Sequence, residues 1–388
     1  MTLETDGEAR PASRRPLRVL QVVQRFFPEL GGTETHVAEV TRRLVAVDDI
    51  DVTVLATDRS GTLPRRDEVD GVRVVRRRSW PRDADLYLSP GVWSVITGGD
   101  WDVVHFQGVH TFVPIIGMAA ARRAGLPYVL TFHSGGHSAP SRSRVRALQW
   151  RAITPLLRGA DRLIAVSRFE RSAFSASTGI EPGRFTVIPN GGALPPVPEG
   201  LRPVPGRIVS SGRLEKYKGH HRVIEALPLV QRDVPGAHLV VLGGGAYEPE
   251  LRALADRLGV AGSVTIKHLP PADRAAMATE LASAAVMAAM SSYEAHPVAI
   301  MEAVAIGLPV VGADVAGTGD LVEDGLVTGV PHDAAPAQVA AALVEELRAS
   351  ATLDGPRPLP EADLPTWDAC AAAVADVYRD IGRSRGLL

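Results

Sequence analysis

Lysine and cysteine are both scarce in this sequence. Lysine occurs only at positions 216, 218 and 267 of the 388 residues, so arginine supplies nearly all of the positive charge. The single cysteine, Cys370, excludes an intramolecular disulfide and a metal site built from several cysteines. Where arginine is the ordinary cation, two lysines within three residues indicate a site that requires a compact ammonium group.

Long hydrophobic segments are also missing. The longest apolar runs, near residues 113–121 and 281–290, are much shorter than the ~20 residues of a transmembrane helix. Residues 1–16 are polar, lack the apolar stretch of a secretory signal peptide and are predicted to form a disordered tail. These features together predict a cytoplasmic protein.

Charge is nearly balanced overall but unevenly distributed. The formal net charge is −2, with positive charge in excess in the first half of the chain and negative charge in excess in the second. Mutual attraction between two domains is the simpler explanation. An anionic partner of the first half, such as a membrane surface or a charged acceptor, is the alternative.

Short apolar runs alternate with helical patterns along both halves of the chain. Continuous apolar strands of this kind are typical of parallel sheets that are covered on both faces. The predicted strands span residues 17–23, 52–57, 72–76, 103–106, 128–133, 163–166, 185–188, 207–210, 239–242, 264–266, 285–289 and 308–311. A proline-rich connector near residue 195 divides the chain into two α/β doubly wound domains, residues 17–195 and 196–366.

Two glycine-rich turns are candidates for close contact between backbone and phosphate. Gly31 and Gly32 lie between the first strand and a helix that Thr33 is predicted to cap. Gly244 lies in a run of three glycines after a strand of the second domain. Neither turn has the Gly-x-Gly-x-x-Gly spacing of dinucleotide-binding enzymes, so the glycines alone do not identify a ligand.

His133 ends a predicted strand of the first domain, where open α/β sheets bind their ligands. A structural histidine that meets no ligand is the alternative. The segment Arg142–Arg162 that follows could lie on an anionic membrane, but a surface helix with one buried face explains the pattern and is favoured. We interpret the Asp-x-Asp at Asp83 and Asp85 as a chance match to a metal-binding motif, because no strand precedes it.

A dense set of candidate site residues lies between Ser291 and Asp320. A helix is predicted from Pro297, with His296 as its N-cap, and it is apolar on every face except at Glu302. A buried carboxylate requires a partner. That partner is either a set of ligand hydroxyl groups or an arginine.

The same region offers groups that bind anions. The N–H groups of Val298 and Ala299, at the start of the predicted helix, form an anion site. Glu294 lies in the loop before the helix and either faces a ligand or is simply exposed. Arg213 and Lys218 combine a planar fork with a point charge and suit a diphosphate, although each alone could be a surface cation. A nucleoside diphosphate that carries a sugar would use all of these groups in a cleft between two domains.

Six motifs follow one another along the chain. They read VSRFE after a strand, IPNG before the connector, GRLEKYKG, LVVLGGG, EAHPVAIME and GLPVVGADVAGTGDLVEDG. With these motifs in this order, the sequence resembles the retaining GT-B glycosyltransferases of glycosyltransferase family 4. The resemblance covers most of residues 17–330. It implies an α/β GT-B fold, in which two Rossmann-like domains face a cleft and the last helix, in residues 367–388, crosses back to the first domain.

The resemblance also implies roles for individual residues. Arg213 and Lys218 would bind the donor diphosphate and stabilise the leaving nucleotide, and Glu302 would bind the ribose. Glu294 would face the donor sugar, and His133 would contact the sugar ring near the reaction centre. The other implied donor-binding positions are Gly31, Gly32, Asn190, Gly244, His268, Ala295, His296, Val298 and Ala299.

The implied reaction transfers a sugar, with retention of configuration, from a nucleoside-diphosphate sugar to a hydroxyl group of a small molecule or a lipid-linked glycan. UDP is the expected nucleotide by resemblance. No metal, no other cofactor and no nucleic acid partner is expected. Peripheral contact with the inner face of the membrane through Arg142–Arg162 is left open.

The sequence departs from the family pattern where the family has glycines or a Pro-Glu pair. These positions carry Ala295 and Pro297, His268, and Gly319-Asp320.

Other interpretations are a sugar-nucleotide 2-epimerase, a non-catalytic sugar-nucleotide sensor, a phosphorylase and a dehydrogenase. An epimerase is expected to carry more acid and base residues in the cleft, and a phosphorylase needs a pyridoxal lysine. The joint presence of the four charged site residues argues against a sensor, and the glycine spacing argues against a dehydrogenase.

Overall fold

The structure is a computed structural model, and it describes residues 15–29, 31–81, 88–133, 143–270, 273–352 and 364–388. Within these ranges the chain forms two largely parallel sheets with helices packed around them. No helix in the described part of the chain is both long and apolar enough to cross a membrane. Asp83 and Asp85 lie outside the described residues.

The first sheet has eight strands. They are β1 Leu17–Val22, β2 Ile50–Asp58, β3 Arg66–Val69, β4 Val72–Arg78, β5 Val103–Gln107, β6 Tyr128–Thr131, β7 Arg162–Ala165 and β8 Phe185–Val187. Their spatial order is β3-β4-β2-β1-β5-β6-β7-β8, and β3 runs antiparallel to β4 while the other neighbours are parallel. The sequence did not predict β3, because this edge strand is mostly exposed and has no apolar run.

Within the described residues, five helices follow strands of this sheet along the chain. They are α1 Gly32–Leu44, α2 Gly91–Gly98, α3 Phe112–Ala124, α4 Ser143–Arg158 and α5 Arg168–Thr178. The prediction that Thr33 caps α1 was wrong, because the helix begins at Gly32 and Gly31 is its N-cap without a side-chain hydrogen bond. Since no side chain caps α1, backbone N–H groups at its start stay available to other acceptors.

In the described part of α4, one face packs into the core and the other faces solvent. Ile153 and Leu157 are buried in the core of the first half, whereas Arg151 and Arg158 are exposed. This part of α4 has the pattern of a surface helix with one buried face. Residue 142 and the side chains of residues 143–149 lie outside the description.

The second sheet has six strands, all parallel. They are β9 Arg207–Ser211, β10 His238–Leu242, β11 Val264–Lys267, β12 Val286–Ala289, β13 Val310–Asp314 and β14 Thr328–Pro331, in the spatial order β11-β10-β9-β12-β13-β14. The helices that follow in the chain are α6 His220–Asp233, α7 Glu248–Arg257, α8 Arg274–Ala282, α9 Val298–Ala305, α10 Ala316–Glu323, α11 Pro336–Ala351 and α12 Trp367–Ser384. The predicted start of α9 was wrong by one residue: Pro297 is the N-cap, and His296 precedes it.

The last helix, α12, packs on α1 and on the first sheet. Trp367 and Tyr378 are fully buried in a cluster with Leu17, Val19 and Leu44. The chain therefore leaves the second sheet after α11 and completes the core of the first half.

The two halves also contact each other through α5 and α10. Arg168, the first residue of α5, donates to Asp324 at 3.0 Å. The backbone N–H of Phe169 donates to Asp320 Oδ2, also at 3.0 Å. Asp320 is one of the departures from the family pattern, and here its carboxylate joins the two halves.

Candidate active site

Loops that follow strands of both sheets meet at one interface. The loop between β12 and α9 carries Tyr293, whose ring packs against Phe169 of the first half with centroids 5.7 Å apart. The carbonyl oxygen of His296 in the same loop accepts a hydrogen bond from Asn190 Nδ2 at 2.9 Å. Because β9 is the neighbour of β12, the loop after β9 lies beside this loop. Residues from both halves therefore meet at this interface.

Lys218 and Glu294 form an ion pair between these two loops. Lys218 ends the short 3-10 turn Lys216–Lys218, and its Nζ lies 2.6 Å from Glu294 Oε1. The two side chains are only 18% and 17% exposed. Burial lowers the pKa of Lys218, but the Glu294 carboxylate outweighs burial and raises that pKa above its usual value. The ammonium group is therefore charged and held in a fixed position.

Arg213 lies in the same loop as Lys218, near this ion pair. Its Nη2 donates to Tyr217 Oη at 2.9 Å, and its Nη1 lies 2.6 Å from Glu215 Oε1. The Tyr217 ring also contacts Lys218, whose Nζ lies 5.4 Å from the ring centroid. These two contacts hold the Arg213 side chain, which is 63% exposed and therefore accessible to a ligand. The structure thus brings together the two cations that the sequence indicated.

Glu302 is the buried carboxylate of α9. Its side chain is 5% exposed and forms an ion pair with Arg274, the first residue of α8. Burial raises the pKa of Glu302 to about 6, although Arg274 opposes the rise. The structure therefore shows the arginine partner that the sequence left open. A ligand can still bind, because one carboxylate has about four acceptor positions.

The start of α9 leaves two backbone donors without a partner among the described residues. The first hydrogen bonds of this helix run from the N–H groups of Ile300 and Met301 to the carbonyl oxygen of Pro297. The N–H groups of Val298 and Ala299 are therefore left for another acceptor. With the dipole of α9, they form a site for an anion beside Glu294.

Gly317 fixes the loop that carries Glu294. The Gly317 N–H donates to the Glu294 carbonyl oxygen at 2.8 Å. A Cβ atom on Gly317 would overlap the carbonyl oxygen of Ala295. The start of α10 therefore needs glycine here, so that the loop before α9 can pack against it.

Gly244 and His268 meet beyond the ends of β10 and β11. A Cβ atom on Gly244 would overlap the His268 ring. The Gly244 carbonyl oxygen accepts a hydrogen bond from the N–H of Leu214, the residue after Arg213, at 2.9 Å. These two predicted donor-binding positions thus lie together, next to the loop that carries Arg213.

Gly31 and Gly32 begin α1 in the first half. A Cβ atom on Gly31 would lie 2.7 Å from Glu34 Oε2, and Glu34 is itself paired with Arg25 at 3.0 Å. A Cβ atom on Gly32, in contrast, would have no described atom within 4 Å. Gly32 therefore leaves open space in front of the uncapped N-terminus of α1.

His133 lies two residues beyond β6, because this strand ends at Thr131 and is shorter than predicted. Its backbone φ of 47° lies in the left-handed region, which non-glycine residues adopt at a cost in free energy. His133 Nε2 lies 2.8 Å from Gln107 Oε1, and the His133 ring packs against His36 with centroids 4.5 Å apart. Burial lowers the pKa of His133 well below its usual value, so the ring is neutral at neutral pH.

Asn190 joins the two halves through its side chain. Its Oδ1 accepts a hydrogen bond from His36 Nδ1 at 2.8 Å, while its Nδ2 donates to His296. Burial lowers the pKa of both His36 and His296 to about 4.

In the described parts of the chain, no three His, Cys, Asp or Glu side chains are grouped as a metal site.

Two family models match the chain in succession. The model "Glycosyltransferase Family 4" matches residues 30–192, and the model "Glycosyl transferases group 1" matches residues 198–352. A glycogen synthase from Mycobacterium tuberculosis is 30% identical over 403 residues, which cover 93% of this chain and 94% of that protein. The chain belongs to the GT-B glycosyltransferases of family 4.

Other members of this enzyme class match this glycosyltransferase over most of their length. A GDP-mannose-dependent alpha-(1-6)-phosphatidylinositol monomannoside mannosyltransferase from Mycobacterium tuberculosis is 30% identical over 387 residues, covering 93% of this chain and 98% of that protein. The crystal structure of Anabaena HepE in complex with UDP and glucose has a TM-score of 0.68 at 20% identity, and the match covers 96% of this chain and 100% of that chain. The predicted GT-B fold is therefore confirmed.

Sequence reasoning missed several residues of this glycosyltransferase that hold the predicted ones in place. Arg274 follows a helix cap and has the pattern of any surface residue of a helix. His36 lies on the buried face of α1, and Gln107 ends a strand whose five residues are all buried. A polar side chain in a buried strand was the signal that could have indicated Gln107, because such a group requires a hydrogen-bond partner.

Proposed function

We propose that this protein is a retaining glycosyltransferase that moves a hexose from a UDP-sugar to a hydroxyl group of a small molecule or a lipid-linked glycan. The ion pair between Lys218 and Glu294, beside the start of α9, carries the proposal. Two neighbouring loops thereby hold a cation and backbone donors for a diphosphate next to a carboxylate for a sugar.

In this proposal the donor diphosphate lies between Lys218 and the N-terminus of α9. Negative charge builds on the phosphate oxygens as the nucleoside diphosphate leaves. Lys218, Arg213 and the N–H groups of α9 stabilise that charge, because they are fixed before the reaction begins. Gly32 lets the donor approach the N-terminus of α1 from the other half. These groups carry the charge stabilisation, and the proposal includes no metal.

Glu302 would accept hydrogen bonds from the ribose hydroxyl groups. The ionised carboxylate makes the stronger bonds of this kind, and Arg274 favours that form against the effect of burial. We therefore include Arg274 in the donor site, as the group that keeps Glu302 charged.

Glu294 would bind hydroxyl groups of the donor sugar. Because the Lys218 ammonium group already holds one of its oxygens, Glu294 fits a binding role better than the role of a nucleophile. We infer that the acceptor hydroxyl attacks the face from which the nucleotide leaves. The bond from the acceptor oxygen to the anomeric carbon forms as the bond from that carbon to the phosphate oxygen breaks, and the phosphate oxygen takes the hydroxyl proton.

Donor and acceptor choice are the finer parts of the proposal. UDP is the first choice by resemblance, and GDP is the alternative that the name of the mannosyltransferase relative suggests. His268 packs against Gly244 where the family has a glycine, so we expect it to influence the choice of base. If the acceptor is lipid-linked, the protein should bind to a membrane surface. Sedimentation with anionic vesicles tests this binding, and an absence of binding at low salt would contradict it.

A thermal-shift panel of nucleoside diphosphates and nucleotide sugars tests the donor site. We expect one nucleotide class to raise the Tm, and we expect Lys218→Ala and Glu302→Ala each to abolish that rise. Lys216→Ala is the matched control, because Lys216 is exposed in the same turn and should keep the full shift. Unchanged shifts in both site variants would overturn the assignment of the site.

Product analysis with the best donor tests the reaction. We expect release of the nucleoside diphosphate and, by NMR, a product whose anomeric configuration equals that of the donor. Tight binding without turnover would indicate a sensor, and release of an epimerised sugar would indicate an epimerase. A product of inverted configuration would contradict retention.

A further inference from the structure

A series of buried hydrogen bonds leads from His133 to the last helix. His133 Nε2 lies 2.8 Å from Gln107 Oε1, and Gln107 Nε2 donates to Gln21 Oε1 at 2.9 Å. Gln21 Nε2 in turn donates to Tyr378 Oη at 3.0 Å. The two glutamines and Tyr378 are fully buried. The series thus starts beyond β6, crosses β5 and β1, and ends on α12.

Tyr378 continues the series to His105. Tyr378 Oη lies 2.6 Å from His105 Nδ1, and His105 Nε2 lies 2.8 Å from Thr131 Oγ1. Tyr378 Oη thus accepts a hydrogen bond from Gln21 and shares a second one with His105 Nδ1. His105 Nε2 also lies 3.5 Å from Gln107 Nε2, so His105 contacts both Thr131 and a glutamine of the series.

The glutamine amides give the series a direction. The amide oxygen of Gln107 faces His133 while its nitrogen donates to Gln21. An amide oxygen can only accept, so His133 must donate from Nε2. Burial lowers the pKa of His133, and it lowers that of His105 to about 3, so both rings are neutral. A neutral imidazole carries one ring proton, and in His133 the contact with Gln107 places it on Nε2.

We propose that Gln107, Gln21 and Tyr378 are positioning residues for sugar transfer, because they hold His133 as the Nε2–H tautomer and leave its Nδ1 as an acceptor for a hydroxyl group of the donor sugar. This inference rests on the proposed contact between His133 and the sugar. A buried network in which the members satisfy one another fixes the orientation of each side chain. The strained backbone of His133 agrees with such a role, since strain of this kind persists where the surroundings determine the conformation.

The network also explains why two glutamines and a histidine stand in central strands. Gln21 lies in β1, and His105 and Gln107 lie in β5, and all three are fully buried. Buried amides and imidazoles without partners would destabilise the fold. Tyr378 provides a hydrogen-bond partner for both Gln21 and His105. A residue of α12 is therefore required to hold these buried side chains in fixed orientations.

NMR of the full chain labelled with 15N-histidine tests the proposed tautomer. Couplings between ring nitrogens and ring protons distinguish the Nε2–H form from the Nδ1–H form, and a His133→Gln spectrum assigns the signal. We expect wild-type His133 as the Nε2–H form. Tyr378→Phe removes the acceptor of Gln21, so both amides can turn over, and we expect a mixture of the two tautomers.

Further variants separate positioning from general loss of packing. Tyr128→Phe is the matched control, because Tyr128 is another buried phenol of the first half whose proton goes to the Leu156 carbonyl oxygen. We expect it to leave the His133 signal unchanged. Gln107→Leu removes the acceptor of His133 and should populate the Nδ1–H form, whereas Gln107→Glu restores an acceptor and should restore the Nε2–H form.

Turnover gives a second readout. We expect Tyr378→Phe to lower kcat about 10-fold with an unchanged donor KM, since misplaced groups slow the chemical step more than binding. Tyr128→Phe should change neither constant. The inference is overturned if wild-type His133 is the Nδ1–H form. It is also overturned if the His133 signal is unchanged in both Tyr378→Phe and Gln107→Leu, or if the tautomer shifts while kcat stays the same. A wild type without turnover would contradict the proposed function instead, while the spectra would still decide the tautomer.

Discussion

Donor affinity is expected to fall below pH 6, because Glu302 then gains a proton. Burial raises the pKa of Glu302 from 4.5 to about 6, and Arg274 limits the rise. If only the ionised form binds the ribose, the Kd is multiplied by one plus the ratio of protonated to ionised Glu302. The expected increase is about 2-fold at pH 6 and about 11-fold at pH 5, and nearly nothing at pH 7.

The same shift affects stability in the opposite direction. The folded protein binds this proton more tightly than the unfolded chain does. The resulting stabilisation is therefore fully present below pH 4.5 and is lost as the pH rises through 6. Its size is about 2 kcal/mol, since each unit of pKa corresponds to about 1.4 kcal/mol. Ligand-free stability and donor affinity should thus respond to pH with opposite signs.

Titration calorimetry from pH 5 to 8 at constant ionic strength measures the donor affinity. A nucleotide sugar is the right probe, because a terminal phosphate has its own ionisation near pH 6 and the sugar ester removes it. His36 and His296 do not interfere, since burial lowers the pKa of each to about 4.

Two variants show whether Glu302 is the titrating group. Glu302→Gln cannot titrate, so we expect weaker binding at pH 7, by about 1.5–3 kcal/mol, and no pH dependence. Arg274→Ala removes the charge that opposes burial, so the midpoint should move to higher pH. The reasoning fails if Glu302→Gln keeps the pH dependence, or if the midpoint in Arg274→Ala does not rise.

Four further substitutions probe the site and the contact between the two halves. Gly32→Ala should leave the unfolding free energy unchanged, because the added Cβ meets no described atom, but should weaken donor binding about 10-fold by calorimetry, since it fills the space of the diphosphate. Gly317→Ala should lower the Tm by several degrees, because the added Cβ overlaps the backbone of Ala295. Gly262→Ala is the control: its added Cβ meets no described atom within 4 Å, so the unfolding free energy in chemical denaturation should stay within about 0.5 kcal/mol of wild type. Arg168→Ala should cost at most about 1 kcal/mol yet increase the radius of gyration in X-ray scattering, and an unchanged radius would show that helix packing alone holds the halves together.

The sequence predicts the elements that apolar patterning determines and misses those that tertiary contacts determine. Most interior strands were found because they are continuous apolar runs between turns. The edge strands β3 and β14 were missed, since their residues RDEV and TGVP are largely exposed and carry no such run. The predicted cap of α1 was wrong, because Gly31 is the N-cap and the helix begins at Gly32, so that Thr33 already lies inside the helix.

Site residues follow the same division. Lys218 and Glu294 were each predicted as site residues from separate motifs, and these roles stay predictions. Their ion pair was not predicted, because 76 residues separate them and no local pattern sets the distance between two loops. Arg274 was missed for the related reason that its partner lies on another helix. The types of residue expected at the site could be inferred from the chemistry that binding a nucleoside-diphosphate sugar requires. Which of these residues form ion pairs with one another depends on the relative positions of loops and helices that are distant in sequence.

The docking of α12 connects these two kinds of information. Gln21, His105 and Gln107 are polar residues in buried strands, which the sequence alone presents as conflicts with the apolar pattern. The structure resolves the conflict through Tyr378, 357 residues after Gln21 and on a helix that the chain reaches only after completing the second sheet. The orientation of His133 in the first half therefore depends on a segment that follows the second half. A substitution that loosens α12 should act on sugar transfer without touching the cleft.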